Sequence, residues 1–213
     1  MEIFSRKNAD GLMTLVISHD DYKFGIIYND FKVNGGSFGK DVCLRAVKFT
    51  EYLEEQSLPL VYLVNSIGVR LMEGRSVFKD AFSLVPAIEN FKKNNLFITA
   101  NLGKSLGLGA LILSLGHYRY SLSKDSEINL TGPEVIRLFF GKAFDFKKHS
   151  SPHRHIKETA LVQEIYHDKK ELLQKIKSHL EFQAIKPKYI LSRQRVVKDI
   201  YQLKTPNERV NSL

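Results

Sequence analysis

The densest concentration of chemically useful residues is Gly103-Lys104-Ser105-Leu106-Gly107-Leu108-Gly109. Glycines at this spacing let a backbone turn sharply and come close to a ligand. The apolar stretch Leu96 to Leu102 before them, with Phe97, Ile98 and Thr99, predicts a buried strand. After them, Ala110 to Leu115, closed by Gly116, predicts a short buried helix. A strand, a glycine turn and a helix start bring unbonded N–H groups and a positive dipole end to one place. That place suits an anion, either a phosphate or an oxyanion formed during a reaction.

Three motifs compete for these glycines. A phosphate-binding P-loop needs glycine where Ile98 stands, and a dinucleotide fingerprint needs glycine where Ile112 stands, so both fail. G-x-S-x-G matches at Gly103–Gly107, which makes Ser105 a candidate hydrolase nucleophile. Its bland rival is a glycine-rich turn with a polar serine.

The surrounding elements alternate. Leu12–Ser18 and Phe24–Tyr28 read as strands joined by a hairpin turn. Asn34 to Gly39 is a turn, and Asp41 precedes an amphipathic helix with Val42, Ala46, Phe49 and Leu53 on one face. Leu60–Val64 is a strand of the buried parallel type, and a helix follows over Ser76–Lys93, kinked at Pro86. Tyr118–Leu122 and Ile128–Leu130 read as short strands. Thr131-Gly132-Pro133-Glu134 starts a further helix, with Pro133 in its first turn. Residues 1–11 carry no signal. Lys147 to Lys157 reads as a basic, histidine-rich loop, and helices are predicted over 158–166, 169–186 and 188–203. In the second of these Leu173, Ile176 and Leu180 form the apolar stripe. The class is α/β, with a core over residues 1–150 and a helical extension over 151–213.

At 213 residues the chain suffices for one domain with a substantial core. The 32 Lys+Arg against 23 Asp+Glu give +9, which implies an anionic partner: a coenzyme A ester, an acidic carrier protein or nucleic acid. Nucleic acid ranks low because basic residues are not interleaved with stacking aromatics. A single cysteine, Cys43, rules out an internal disulfide and a cysteine-based zinc site. His153 and His155 alternate as ligands do, but with no partnering carboxylates, so no metal site is assigned. No apolar run reaches the length of about 18 residues needed to cross a membrane, and no signal-like segment is seen. The expectation is a soluble cytoplasmic protein.

Four segments in register resemble the carboxyltransferase branch of the crotonase superfamily: Gly35 to Gly39, Ser66 to Gly74, Gly103 to Ala110, and Leu130 to Ile136. The resemblance spans roughly residues 24–175. The runs Gly68-Val69-Arg70-Leu71 and Leu130-Thr131-Gly132-Pro133-Glu134-Val135-Ile136, and the pair His153-Arg154, are closest to the β subunit of biotin-independent malonate decarboxylase. The β subunit of acetyl-CoA carboxylase carboxyltransferase is similar too. What the resemblance implies is a crotonase-like ββα superhelix with C-terminal helices, acting on a malonyl or acyl thioester. Two peptide N–H groups would hold the thioester oxygen as it becomes an enolate, one at Gly68 or Val69 and the other at Gly107 or Leu108. Gly36, Ser66, Arg70, Ser105, Gly109, Gly132 and Pro133 would line the substrate. The acyl group would ride on coenzyme A or on the phosphopantetheine of an acyl carrier protein, with no covalently bound cofactor. The site would be completed in a homo-oligomer, or in a hetero-oligomer with a second carboxyltransferase-like subunit.

That chemistry needs no nucleophile. Loss of CO2 from a malonyl thioester, or its addition to an acyl one, passes through the same enolate, and fixed backbone donors stabilise its charge. A proton must then reach the carbanion; His117 and Tyr118 are the nearest candidates in sequence. Two departures from the family pattern stand out: Leu108 separates Gly107 from Gly109, and Asn65 replaces an aspartate before Ser66. The leading reading is a malonyl-thioester decarboxylase subunit. The alternatives are the carboxyltransferase of a biotin-dependent acyl-CoA carboxylase, a serine hydrolase using Ser105, and a non-catalytic homologue that binds a carrier protein.

Overall fold

The structure, a computed structural model, describes residues 2–6, 10–19, 22–140 and 145–185. Chain contacts separate Met1–Glu181 from Phe182–Leu213, and all strands described here belong to the first unit. It opens with β1 (Glu2–Arg6), β2 (Leu12–His19) and β3 (Tyr22–Asn29), paired antiparallel. β1 arises from the stretch that carries no sequence signal: five residues gain strand geometry from a neighbour that offers a ladder edge.

From β3 onward the sheet is parallel. α1 (Lys40–Glu55) leads to β4 (Leu60–Ser66), and α2 (Val77–Phe91) leads to β5 (Phe97–Leu106). α3 (Leu108–Leu115) follows, then β6 (Tyr118–Leu122), β7 (Glu127–Asn129) and α4 (Pro133–Phe140). The strand order is β1-β2-β3-β4-β5-β6, with β7 also beside β5. Both faces of β4 are covered, which explains its unbroken apolar run. Leu60, Tyr62 and Val64 pack with Phe49 and Leu53 of α1 and Leu84 and Ile88 of α2.

Val61 of β4, Ile98 and Ala100 of β5, and Tyr120 and Leu122 of β6 form the core on the opposite face. It is covered by α7 (Lys169–Ile185) through Leu172, Ile176 and Leu180. Leu172, not Leu173, is the buried residue: Leu173 is 51% exposed. Both choices satisfy helical spacing with Ile176 and Leu180, so only the packing decides between them.

Two other expectations change. The basic loop is helical: α5 (Phe146–His149) starts where the Asp145 side chain accepts the Lys148 N–H, and α6 (Pro152–Glu158) starts at a proline. The helix expected over 158–166 is instead an irregular segment and β8 (Glu164–Tyr166), which pairs parallel with β6. An open sheet edge outweighs the weak helical pattern. α2 runs through Pro86, as the span expected for it does. The helix predicted over 188–203 lies outside the described residues. No helix among the described residues is long and apolar enough to cross a membrane.

α7 is also held by a polar cluster. The Tyr120 hydroxyl lies 2.6 Å from His179 Nδ1, and the His179 ring stacks on Tyr118 at 4.1 Å between centroids. Burial raises the Tyr120 hydroxyl well above its usual value, so it keeps its proton and donates to a neutral ring. Burial and then Lys175 lower His179 below 6.5, while Glu164 opposes them. A folded-state value below the unfolded one means stability is full above pH 6.5 and falls as pH drops through it. The urea midpoint of the wild type is therefore expected to fall between pH 7.5 and 5.5. His179→Gln, which keeps an acceptor for Tyr120 but does not titrate, is expected to fall less. His117, also lowered by burial, supplies the remainder. Identical slopes for the two proteins would refute the assignment.

Candidate functional site

The site forms at the carboxyl ends of β4 and β5, and it depends on a change of register. Val64 pairs with Asn101, whereas Ser66 pairs with Ser105. Asn65 alone therefore faces Leu102, Gly103 and Lys104, a bulge that carries two more residues on β5 than on β4. The bulge also splits the neighbours of β5: Ile98–Asn101 pair with β6 and Lys104–Leu106 with β7. The strand thus runs four residues past its expected end at Leu102, and the turn comes at Gly107.

In the register of the first half, Gly107 would come level with Arg70; in that of the second half it comes level with Gly68. The two glycines touch. A Cβ on Gly107 would lie 3.5 Å from the Gly68 Cα, and one on Gly68 would lie 3.1 Å from the Leu106 carbonyl oxygen. Both have positive φ, +102° at Gly68 and +56° at Gly107, which side chains strain to adopt.

Each expected pair of donors divides the same way. The Gly68 N–H donates to Ser66 Oγ at 3.0 Å, and the Gly107 N–H donates to the Asn129 carbonyl at 2.9 Å. The Val69 and Leu108 N–H groups have no hydrogen-bond acceptor among the described residues. Val69 forms a parallel bridge with Phe38, in which Phe38 donates to the Gly68 carbonyl and accepts from the Arg70 N–H. The N–H of Val69 itself must then point to the opposite edge, the side on which β5 lies. Leu108 is the first residue of α3, where N–H groups have no intrahelical partner and the dipole is positive. Leucine between the two glycines presents no obstacle here: its side chain goes into the core, at 4% exposure.

The other expected residues make the following contacts in this arrangement. Ser66 is buried and holds the turn through the Gly68 bond. Gly109 lets α3 lie on β4, since a Cβ there would be 3.3 Å from Val64 Cγ1. Gly36 is buried at φ +62°, and a Cβ would collide with the Asn65 carbonyl oxygen. Arg70 spends its guanidinium on Ser37 (Oγ and carbonyl), the Asp10 carbonyl and Glu73 Oε1, all within 3.1 Å. Gly132 has open space around it, and Pro133 starts α4. The Leu130 carbonyl oxygen, two residues before Gly132, lies 3.9 Å from a Cβ built on Gly107.

Ser105 lies within β5, fully buried, and its hydroxyl donates to Asn101 Oδ1 at 2.9 Å. A nucleophile elbow needs the serine on the sharp turn itself, which here falls two residues later. His117 is also displaced: its Nδ1 accepts the Phe97 N–H at 3.0 Å, at the start of β5. The eight residues of α3 and the residues that flank them carry it about 20 Å from Gly107 at the usual helical rise, and Tyr118 lies beside it. Neither reaches the glycine turns. His155 Nε2 lies 2.8 Å from the Ile128 carbonyl, which can only accept, so that nitrogen carries the proton. Among the described residues no group of three or more His, Cys, Asp or Glu could hold a metal.

Sequence reasoning missed Asn101 and noted Asn65 without assigning it a role. Asn65 Oδ1 accepts the Lys104 N–H at 2.9 Å, and Asn101 Oδ1 accepts the Gly103 N–H at 3.3 Å. The available signal was an asparagine inside each of two apolar strands that lead into glycines. The segment after Gly68 and helix α4 carry exposed apolar side chains. Met72 is 95% exposed, Leu138 84% and Phe139 81%, with Leu71, Phe82 and Phe140 also exposed.

The sequence matches the family described as Carboxyl transferase domain over residues 22–208. It is 26% identical over 166 residues to the propionyl-CoA carboxylase beta chain of Rhodococcus erythropolis, covering 78% of this chain and 33% of that one. It is 29% identical over 113 residues to the chloroplastic acetyl-coenzyme A carboxylase carboxyl transferase subunit beta of Nuphar advena, covering 53% and 22%. The chain thus spans a third or less of the length of these relatives. Among solved structures, the Pseudomonas malonate decarboxylase hetero-tetramer aligns with TM-score 0.74 at 16% identity, covering 93% of this chain and 76% of that one. The transcarboxylase 12S core aligns with TM-score 0.73 at 20% identity, covering 82% and 35%. These likenesses show the fold: the α/β, crotonase-like expectation is met.

The glycine packing yields a direct test by denaturant unfolding. Gly36→Ala adds a clash with backbone to a strained φ and is expected to cost at least about 2 kcal/mol. Gly132→Ala, in open space, is expected to stay within about 0.5 kcal/mol of wild type. Equal effects would show that the packing at Gly36 is not as described.

Proposed function

Since the chain belongs to the carboxyl transferase domain family, we propose that it is a subunit of the carboxylase and decarboxylase type and takes part in decarboxylating a malonyl thioester without biotin. The observation that carries this reading is the contact between the turns at Gly68 and Gly107, with the Val69 and Leu108 N–H groups left unbonded beside it. As the carboxylate carbon leaves as CO2, the electron pair of the breaking C–C bond moves into the thioester and charge collects on its oxygen. Two fixed N–H donors and the positive end of α3 are worth most at that moment, because the ground-state carbonyl carries far less charge. The carbanion then takes a proton, for which no residue of this chain is nominated.

The acyl group is carried on coenzyme A or on the phosphopantetheine of an acyl carrier protein, either of which suits a chain of net charge +9. The exposed apolar residues of α4 and of the segment from Leu71 to Phe82 suit a second carboxyltransferase-like subunit, identical or different. The solved Pseudomonas malonate decarboxylase includes a hetero-dimer. A second reading, the carboxyltransferase of a biotin-dependent acyl-CoA carboxylase, is favoured by the names of the sequence relatives, which are carboxylases. The buried position of Ser105 counts against a serine hydrolase.

The donors can be separated from the side chain at Leu108. Leu108→Pro removes the N–H at a first helical position that tolerates proline, and Leu108→Ala trims the side chain but keeps the N–H. With malonyl-CoA or a malonyl carrier protein as substrate, and candidate partner subunits present, wild type is expected to release CO2. The proline variant is expected to have kcat about 10²-fold below the alanine variant. Equal rates for the two variants would remove Leu108 from the site. A strict requirement for carboxybiotin would transfer the assignment to the second reading, and labelling of Ser105 by a fluorophosphonate would transfer it to a hydrolase.

A further inference from the structure

We propose that Asn65 is the positioning residue of this site: its side chain closes the bulge in β5 and so holds Gly107 level with Gly68. The inference rests on the reading of those turns as an oxyanion hole.

Three contacts of Asn65 and the bonding of Asn101 support it. Asn65 Oδ1 accepts the N–H of Lys104, a bulge residue that has no ladder partner on β4. A Cβ on Gly103 would lie 2.8 Å from the same oxygen, so glycine there is what lets the amide approach. The Asn65 carbonyl oxygen fills the space beside Gly36, bringing a third glycine turn against the same residue. On the far side Asn101 takes the Gly103 N–H and the Ser105 hydroxyl on Oδ1 and donates from Nδ2 to Ser121 Oγ at 3.1 Å. The Gly103 and Lys104 N–H groups of the bulge therefore each end on a side-chain amide oxygen.

Removing the Asn65 acceptor leaves the Lys104 N–H unpaired between strands. The strand can regain a partner by shifting its register, and a slip of one residue moves Gly107 by about 3.3 Å along β4. An oxyanion hole does not survive that displacement. Asparagine and aspartate both offer the acceptor; alanine does not.

The test compares Asn65→Ala with Asn65→Asp in the full chain, by amide hydrogen exchange and by steady-state kinetics on malonyl-CoA. In the alanine variant the Lys104 amide is expected to exchange at least about tenfold faster, while Phe97–Asn101 keep their protection. Its kcat is expected to fall about 10²-fold with KM within about twofold of wild type. The aspartate variant is expected to recover both. A purely structural role would lower the unfolding midpoint of the alanine variant and leave kcat of the folded protein unchanged, which would overturn the proposal. Unchanged Lys104 protection in the alanine variant would overturn it too. Should the alanine variant not fold, the aspartate variant decides: protected Lys104 with kcat near wild type supports the brace, and protected Lys104 with kcat lost refutes it. A wild type inactive on every thioester would instead sink the enolate reading, with Lys104 exchange still deciding whether Asn65 holds the bulge.

Discussion

Two extra residues in one strand set the geometry on which the rest of the structure depends. Parallel strands keep a constant offset, and with the offset of its first half β5 would bring Gly107 past Gly68. The bulge at Leu102–Lys104 changes that offset once, just before the strands end. It also hands the edge of β5 from β6 to β7, so a single strand serves two neighbours in succession. The junction of the glycine turns therefore follows from a local irregularity rather than from the regular sheet.

A bulge in a buried sheet raises a question of hydrogen bonding, because unpaired N–H groups between strands are costly. Side-chain amides answer it here. Asn101 is fully buried yet satisfied by Gly103, Ser105 and Ser121. A carboxylate in its place would have to be buried with its charge and would lose the Nδ2 donor to Ser121. Asn65 sits nearer the surface, where either an amide or a carboxylate can serve. The aspartate-to-asparagine difference noted in the sequence thus has a physical reading: the position needs an acceptor, and charge is secondary.

Legibility in the sequence followed the strength of local patterns. The apolar run at Leu60–Val64, the spacing of Val42, Ala46, Phe49 and Leu53, and the glycines at Gly68 and Gly107 each specify local geometry, and the structure keeps all of them. The true end of β5 was not legible, because Gly103 reads as a turn unless the asparagines on either side are known to cap it. β8 and β1 are short segments that acquire strand structure from a neighbour, and no local propensity reports a neighbour. The choice of Leu172 over Leu173 is likewise made by the sheet beneath α7. His117 misled because closeness in sequence to the helix of the site conceals a reversal of direction: α3 carries the chain back to the opposite end of the sheet.

The exposed apolar side chains bear on how well backbone donors can work. An N–H group facing water already has a partner, and its attraction for an enolate is weakened by solvent screening. The same donor in a dry site needs no solvent to reorganise and interacts far more strongly. The Leu130 carbonyl that neighbours Gly107 leads into α4, whose Leu138 and Phe139 face outward, and Gly68 leads within four residues to Met72. Exposed apolar side chains of this size are costly to leave wet. A subunit seated on them would gain by burying those residues and would at once exclude water from the Val69 and Leu108 amides. Association and catalytic electrostatics would then draw on the same surface.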